Sequence, residues 1–409
     1  MMSAGKSKST VQIKSEPFEG SYPCFGGNGV RGYVDEYNQD GIFSIVGRQG
    51  ALCGNINIAI GKFYATEHAV VTTLFDGIDF KWSNYILEAL RLNNYATGAA
   101  QPGLSVANIL NVFVPVPPTQ EQDRIGNSVY ESLKIVEALE QEKIDLQKNI
   151  ITAKTKILDL AICGKLVPQD PNDEPASVLL ERIRAEKEEL IKHGKIKRDK
   201  KESVIFKGDD NSYYERVGDI ISNIDDEIPF ELPQNWEWSR LQTICYPITD
   251  GTHKTPTYSD SGYIFLSAKN ITTGKINWND IMYIPKSLHD ELYSRVSPKM
   301  NDILLAKNGT TGVAAIVDRE CEFDIYVTLA LLRVVNNNIS SQYLLKIIAS
   351  GTIQDYFKSS LKGIGVPNLH LEHIRTTLIP IPPINEQNKI AERIYQYYSL
   401  LDSIVQNIE

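Results

Sequence analysis

The sequence has little cysteine: five residues in 409, at Cys24, Cys53, Cys163, Cys245 and Cys321. An odd and scattered set excludes a disulfide framework and a zinc ribbon, and fits a reducing, cytoplasmic setting. No run approaches the ~18 apolar residues that a membrane span needs, so no membrane role is expected. Met1–Thr10 is polar and lacks the apolar stretch of a signal peptide. Nucleotide-binding and catalytic patterns are also missing. Gly26–Gly29 has no Gly-Lys-Ser/Thr after it and no Gly-x-Gly-x-x-Gly frame, so a turn is the plainer reading than a phosphate cradle. Gly5-Lys6-Ser7 lacks the earlier glycine and the preceding strand of a P-loop. His370-x-x-His373 stands without the frame of a zinc protease or a cysteine cluster, so no metal is expected. No Asn/Asp-Pro-Pro-Tyr segment of an adenine methyltransferase occurs, and no triad or carboxylate pair is recognisable from spacing. The chain reads as non-catalytic.

Excess basic charge is absent too. The formal net charge is −9, but it is uneven: −7 falls between residues 113 and 231, whereas residues 1–112 carry −1 and residues 232–377 carry +1. A near-neutral globule can still present a basic face, so the balance neither requires nor excludes a polyanion partner.

What is present is an internal repeat. Phe113-Val114-Pro115-Val116-Pro117-Pro118-Thr119-Gln120-Glu121-Gln122 returns as Leu378-Ile379-Pro380-Ile381-Pro382-Pro383-Ile384-Asn385-Glu386-Gln387, at an offset of 265. Upstream, Pro102-Gly103-Leu104 matches Pro367-Asn368-Leu369, and Gly50 resembles Gly309 with a small drift in register. Each copy is thus a globular region ending in a Pro-rich turn that opens a helix. In copy one, Ile125, Val129, Val136, Leu139, Leu146, Ile150, Ala153, Ile157 and Leu160 fall on alternating steps of four and three, with Ser132 and Lys143 as polar interruptions; in copy two, Ile390, Ile394, Tyr397, Leu401, Ile404 and Ile408 keep that phase. A sustained 3.5-residue period is a coiled-coil seam, and two seams in one chain most simply pack on each other.

The expected organisation is α+β: two mixed modules separated by long helices that form an antiparallel two-helix spacer. Residues 1–20 read as a polar tail, 21–112 as a first module shortened at its start, and 113–165 as a central spacer helix. Residues 166–231 read as an acidic connector with a charged amphipathic helix over Ala176–Ile191 and a charge-rich stretch at 193–210, 232–377 as a second module, and 378–409 as a C-terminal spacer helix. Polar loop clusters recur in both modules. In the second they contain Thr252, His253, Lys254, Lys269, Asn270, Lys307, Asn308, Thr310, Lys362 and Asn368; in the first, Arg31, Arg48, Gln49 and Gln101. Lysine, arginine and short polar side chains hold phosphates, and amides and hydroxyls also reach base edges. Taken singly each cluster is more often just a turn; repetition in two modules raises the DNA-binding reading.

These residues resemble the specificity subunit of a Type I restriction–modification system. The resemblance rests on the duplicated Pro-x-Pro-Pro-x-x-Glu-Gln helix opening, on Ile157–Asp170 followed by Glu181–Lys187, and on Leu232-Pro233-Gln234-Asn235-Trp236-Glu237-Trp238, and it covers roughly residues 20–409. It implies two target-recognition domains, each reading half of a bipartite double-stranded DNA site, on a spacer that docks modification (methyltransferase) and restriction (endonuclease) subunits. The modification subunits would bring S-adenosylmethionine, and this chain would bind no cofactor. The residues themselves leave two other readings open: a silent or phase-variable allele of such a subunit, and a coiled-coil adaptor whose modules bind protein. A seam of 36 residues spans about 54 Å at ~1.5 Å per residue, about one and a half turns of DNA. Coil length is therefore expected to set the gap between half-sites.

Overall fold

The computed structural model describes residues 2–5, 12–50, 52–98, 102–198, 202–335, 338–361 and 367–408. The chain divides into two compact units, Met1–Ile144 and Asp145–Glu409.

The first unit is built on β1 (Met2–Ala4), β2 (Tyr22–Gly26), β3 (Gly29–Val34), β4 (Gln39–Gly47), β5 (Ile56–Ala65) and β6 (Ala69–Thr72), which form one sheet in the order β1-β6-β4-β5-β2-β3. Helices α1 (Phe80–Ala89) and α2 (Val106–Leu110) follow, then α3 (Thr119–Ile162), whose first part belongs here. Alternation along the strands sends side chains to two faces. Ile45, Phe63, Ala69 and Val71 pack on one face with Phe25, whose ring meets Phe63 edge-on at 5.3 Å. Val46 and Val70 point the other way, onto Leu87, Leu92, Leu104 and Ile109. The start of the chain corrects the expected tail: Met2–Ala4 pairs antiparallel with Val70–Thr72, because its backbone closes the free edge of β6.

The second unit contains the rest of α3, then α4 (Ala176–Lys192), β7 (Ser203–Lys207), β8 (Tyr213–Val217), β9 (Ile220–Asn223), β10 (Glu237–Arg240), α5 (Leu241–Ile244), β11 (Cys245–Asp250), β12 (Tyr263–Leu266) and β13 (Met282–Ile284). It continues with α6 (Lys286–Arg295), β14 (Ile303–Ala306), β15 (Ala314–Ile316), β16 (Phe323–Ile325), β17 (Leu329–Val334), α7 (Ser341–Ile348), α8 (Gly351–Ser359), α9 (Leu371–Thr376), β18 (Leu378–Ile381) and α10 (Ile384–Ile408). Its sheets are β11-β17-β14-β15, β13-β12-β16, β7-β8-β9 and the pair β10-β18.

The connector holds the expected helix as α4, and the stretch after it is a sheet, β7–β9. Leu179, Leu180 and Ile183 of α4 enter the main core beside Leu241 and Ile244, and the β7–β9 sheet packs Ile205 and Tyr213 on Trp238. Its charges are largely paired: Arg240 bridges Glu215 at 2.7 Å and Glu227 at 2.9 Å. A second correction concerns Leu378–Ile381, which is a strand paired with Glu237–Arg240 and not the opening of a helix. Pro380 has no N–H to give a ladder, and it sits in a two-stranded pair where none is demanded on its outer side.

Within the second unit α3 and α10 run antiparallel. The Tyr398 hydroxyl donates to the Lys154 carbonyl at 3.0 Å, Lys154 pairs with Asp402, and farther along Gln169 donates to Glu386. Ile150, Leu158, Ile390 and Ile394 are buried there, Ile157, Leu160, Leu401 and Ile404 are half-buried, and Leu146 is exposed. In the first unit, Val136 and Leu139 of α3 are 49% and 59% exposed, which corrects their place in a filled seam.

Candidate nucleic-acid interface

The two modules share one backbone frame, and this frame places the polar loops. In the first, the Arg48 amide donates to the His68 carbonyl and the Arg48 carbonyl accepts from Leu104, at 3.0 and 2.7 Å. In the second, Lys307 donates to Thr328 and accepts from Leu369, at 2.8 and 2.9 Å. Gln49 bridges Gly103 as Asn308 bridges Asn368. Gly5 donates to Ala69 as Gly251 donates to Leu329, and Thr66 to Phe25 as Tyr326 to Leu266. The parallel pair β2–β5 answers to β12–β16, so Gly26–Asn28 occupies the place of Ser267–Lys269. The long β5 does the work of two short strands, β15 and β16.

In the first module the result is a cleft of about 360 Å³ lined by Gly26–Arg31, Gln49, Gly50 and His68. Gly29 and Gly50 have φ of +87° and +88°, which favours glycine and lets the backbone turn tightly there. In the second module Thr328 ties two loops together: its hydroxyl accepts from the Ala268 amide at 3.1 Å and its carbonyl from Lys307.

The structure separates the candidate residues into buried anchors and exposed tips. Lys307 is buried, its Nζ 2.6 Å from Asp250 Oδ2; Arg295 in turn donates to the Gly251 carbonyl at 2.6 Å. Asn270 is buried in a capping box, accepting from the Ser267 amide and donating to the Asp280 carbonyl. Arg48 is half-buried and donates to the Leu104 and Glu67 carbonyls. Lys307 and Asn270 are corrected from DNA contacts to structural anchors, because both are buried and hydrogen-bonded within the fold; Arg48 is half-buried, with Nε and Nη1 on backbone carbonyls. Arg31, Gln49, His253, Lys254, Lys269 and Thr310 are exposed, and Thr252, Asn308 and Asn368 are half-buried. Gln101 and Lys362 lie outside the described residues. No group of three or more His, Cys, Asp or Glu among the described residues is placed to hold a metal.

The repeated Glu-Gln pair explains how each module is fixed to its helix. Gln122 is buried; its Oε1 accepts from the Asp79 amide at 2.8 Å and its Nε2 donates to the Pro117 carbonyl at 2.8 Å. Gln387 does the same with the Ser340 amide and the Pro382 carbonyl, both at 2.9 Å. Asp79 and Ser340 are the N-caps of α1 and α7, so one glutamine straps the Pro-Pro turn to the head of a module helix. Sequence reasoning missed this role, although the repetition of the pair was its visible signal.

Two stretches of the chain, residues 4–156 and 233–409, match the model of the Type I restriction modification DNA specificity domain. The chain belongs to this family. Among curated specificity-domain proteins it is 28% identical over 330 residues to the Type I restriction enzyme EcoAI specificity subunit of Escherichia coli, covering 69% of this chain and 52% of that one. It is 45% identical over 135 residues to the EcoprrI specificity subunit of Escherichia coli, covering 31% and 33%. The chain thus spans about half the length of the first and a third of the second. Two solved structures share the fold at 13% identity. One is the HsdS subunit from Thermoanaerobacter tengcongensis, with a TM-score of 0.51 over 91% of this chain and 77% of that one. The other comes from work on the assembly and conformational transition of the type I R-M system, with a TM-score of 0.55 over 99% and 90%. The specificity-subunit fold of two mixed modules and a helical spacer is therefore the fold of this chain. No helix among the described residues is long and apolar enough to cross a membrane.

Proposed function

We propose that this chain is the non-catalytic, cytoplasmic DNA-reading subunit of a Type I restriction–modification complex. Each module reads one half of a bipartite double-stranded site, and the spacer docks modification and restriction subunits. The observation that carries this reading is the shared backbone frame, which presents polar loop tips at matching places in both modules.

The division of labour follows from burial. Anchors such as Lys307 and Arg48 hold the loops rigid, so that tips meet DNA without an ordering cost. Arg31, Lys254 and Lys269 are exposed cations suited to phosphates. Gln49 and Asn308 carry amides, which can pair with an adenine edge through one donor and one acceptor. S-adenosylmethionine would be held by the modification subunits, and methyl transfer would occur there. Because the chain itself is acidic overall, much of the affinity for DNA would come from partner subunits closing around the duplex.

Single-molecule methylation sequencing of a plasmid from cells that co-express this chain and its cognate modification subunit tests the reading. A split adenine-methylated motif with a constant gap is the expected result. One half-site or a palindrome would mean that the first module does not read DNA. An intact complex without methylation would instead identify a silent allele or a protein-binding adaptor. Adding one heptad to each spacer helix should lengthen the gap; an unchanged gap would refute the ruler.

A further inference from the structure

The second module and its spacer helix enclose a cleft of about 660 Å³, between residues 274–276, the end of β15, α7 and α10. That size is typical of small-molecule sites. Ile276, Ile316, Leu345, Ala391 and Tyr395 give it an apolar wall, and none of the candidate DNA-binding residues lines it. Lys275 and Lys346 reach it from two different elements. Lys346 is half-buried, with its ammonium 5.4 Å from the centre of the Tyr398 ring. Lys154 lies over the same ring at 5.2 Å, but it is paired with Asp402. Lys275 and Lys346 have no ion pair or side-chain hydrogen bond among the described residues. Burial first, then the nearness of Lys275 and Lys154, holds the Lys346 amine below its usual 10.5. Asp318 and Glu392 also line the cleft; they accept from the Trp278 indole and from Gln396, at 2.8 and 3.2 Å, and leave both lysines unpaired. Grouped cations without a counter-charge repel one another, and an anion between them removes that cost.

The first module shows that the repeat does not by itself create this arrangement. At the matching places Gly126 stands for Ala391, Asn127 for Glu392 and Tyr130 for Tyr395. There Lys81 donates to Asn127 at 2.9 Å and lies 5.1 Å from the Tyr130 ring centre. A Cβ at Gly126 would stand 3.0 Å from the Trp82 amide, so α1 packs close on α3. The first module thus gives its lysine a partner, whereas the second leaves room and two lysines without one.

We propose that this cleft binds a small phosphate-bearing molecule, of nucleotide size at most, with its phosphate between Lys275 and Lys346. Lysine serves phosphate as a point charge. The apolar part of the ligand lies on Leu345 and Tyr395, and its hydroxyl or amino groups face Asp318 and Glu392. Such a ligand touches both the module and α10. The site does not depend on the DNA-reading loops.

Calorimetric titration of the full chain with adenosine monophosphate and with inorganic phosphate tests the proposal. Saturable binding of the nucleotide at one site is expected, with inorganic phosphate competing. Lys346→Met and the exposed Lys275→Met should each weaken it about tenfold, the worth of one hydrogen bond to a charged group. Lys346→Arg should keep most of the binding, and the far-UV circular dichroism should be unchanged in all three. Lys254→Met and Lys269→Met, at the loop tips, should bind as the parent does. No saturable binding of either probe overturns the proposal, and so does binding that both cleft variants retain. Loss of binding in the loop variants overturns it as well, because the phosphate would then sit among the DNA-reading loops. Displacement of the nucleotide by a non-specific DNA duplex would overturn it too, by assigning the cleft to the DNA backbone.

Discussion

The two modules are built on one hydrogen-bonded frame but are completed differently. The second carries Trp236 and Trp238, a strand that covers β18, and a three-stranded sheet that packs on Trp238. The first has none of these among its described residues, and the matching apolar positions stand in solvent. The anchoring cation differs in the same sense. Lys307 is buried against a carboxylate 57 residues away in sequence, whereas Arg48 is half-buried and bonded only to carbonyls. The strap through Gln122 and the central strands are common to both modules, which differ in what packs outside that frame.

The largest expected effect sharpens the contrast between anchors. Lys307→Met takes from buried Asp250 its closest cation, leaving His253 Nε2 at 3.3 Å, and should cost about 3 kcal/mol. Arg48→Met loses two carbonyl contacts near the surface and should cost about 1–2 kcal/mol. Urea unfolding of the two variants measures both, and equal losses would remove the asymmetry. Next comes the covered glutamate against the bare one. Glu386→Ala strands the Trp236 indole in the core and should cost about 2–3 kcal/mol, while Glu121→Ala should stay within ~0.5 kcal/mol.

The added sheet of the second module should show in acid. Burial pushes the Glu215 carboxyl up, but the stronger combined hydrogen bonds and charge of Arg240 hold it below the ordinary 4.5. A carboxyl depressed in the folded state contributes stability that is complete above its unfolded value and is lost as pH falls through its folded value. Stability should therefore decline below pH 4.5, and Glu215→Gln should flatten that part of the curve. Thermal melts as a function of pH decide it; an unchanged profile would show that Arg240 does not hold this carboxyl down.

The smallest effect on the fold is expected at the loop tips. Lys254→Ala and Lys269→Ala should leave stability within ~0.5 kcal/mol of the parent. Each should lower the salt slope of DNA binding by the assembled complex by about one if it touches a phosphate. Wild-type slopes would take these lysines out of the interface.

Much of the fold was legible because its signals are local. The repeated Pro-x-Pro-Pro-x-x-Glu-Gln opening and the 3.5-residue period mark α3 and α10, whose hydrogen bonds close within each helix. β14 and β17 are short apolar runs, a composition that favours strands over the loops around them. The candidate site was legible only as a set of loops. Whether a lysine in a loop is a tip or an anchor depends on what folds against it. Nothing near Lys307 in sequence announces Asp250, and nothing near Asn270 announces the Asp280 carbonyl.

By itself the sequence determined that the chain is a tandem of two modules, that each ends in a Pro-rich strap and a long helix, and which residue types crowd the loops. Only the tertiary structure decided which loop cations are spent on the fold and that residues 203–223 are a sheet. The same holds for the pairing of Met2–Ala4 with β6 and for the pairing of Leu378–Ile381 with β10. The reason is physical. Helical periods and turns are set by neighbours a few residues apart, whereas burial, ion pairing and strand cover are settled between segments that the chain brings together only when it folds.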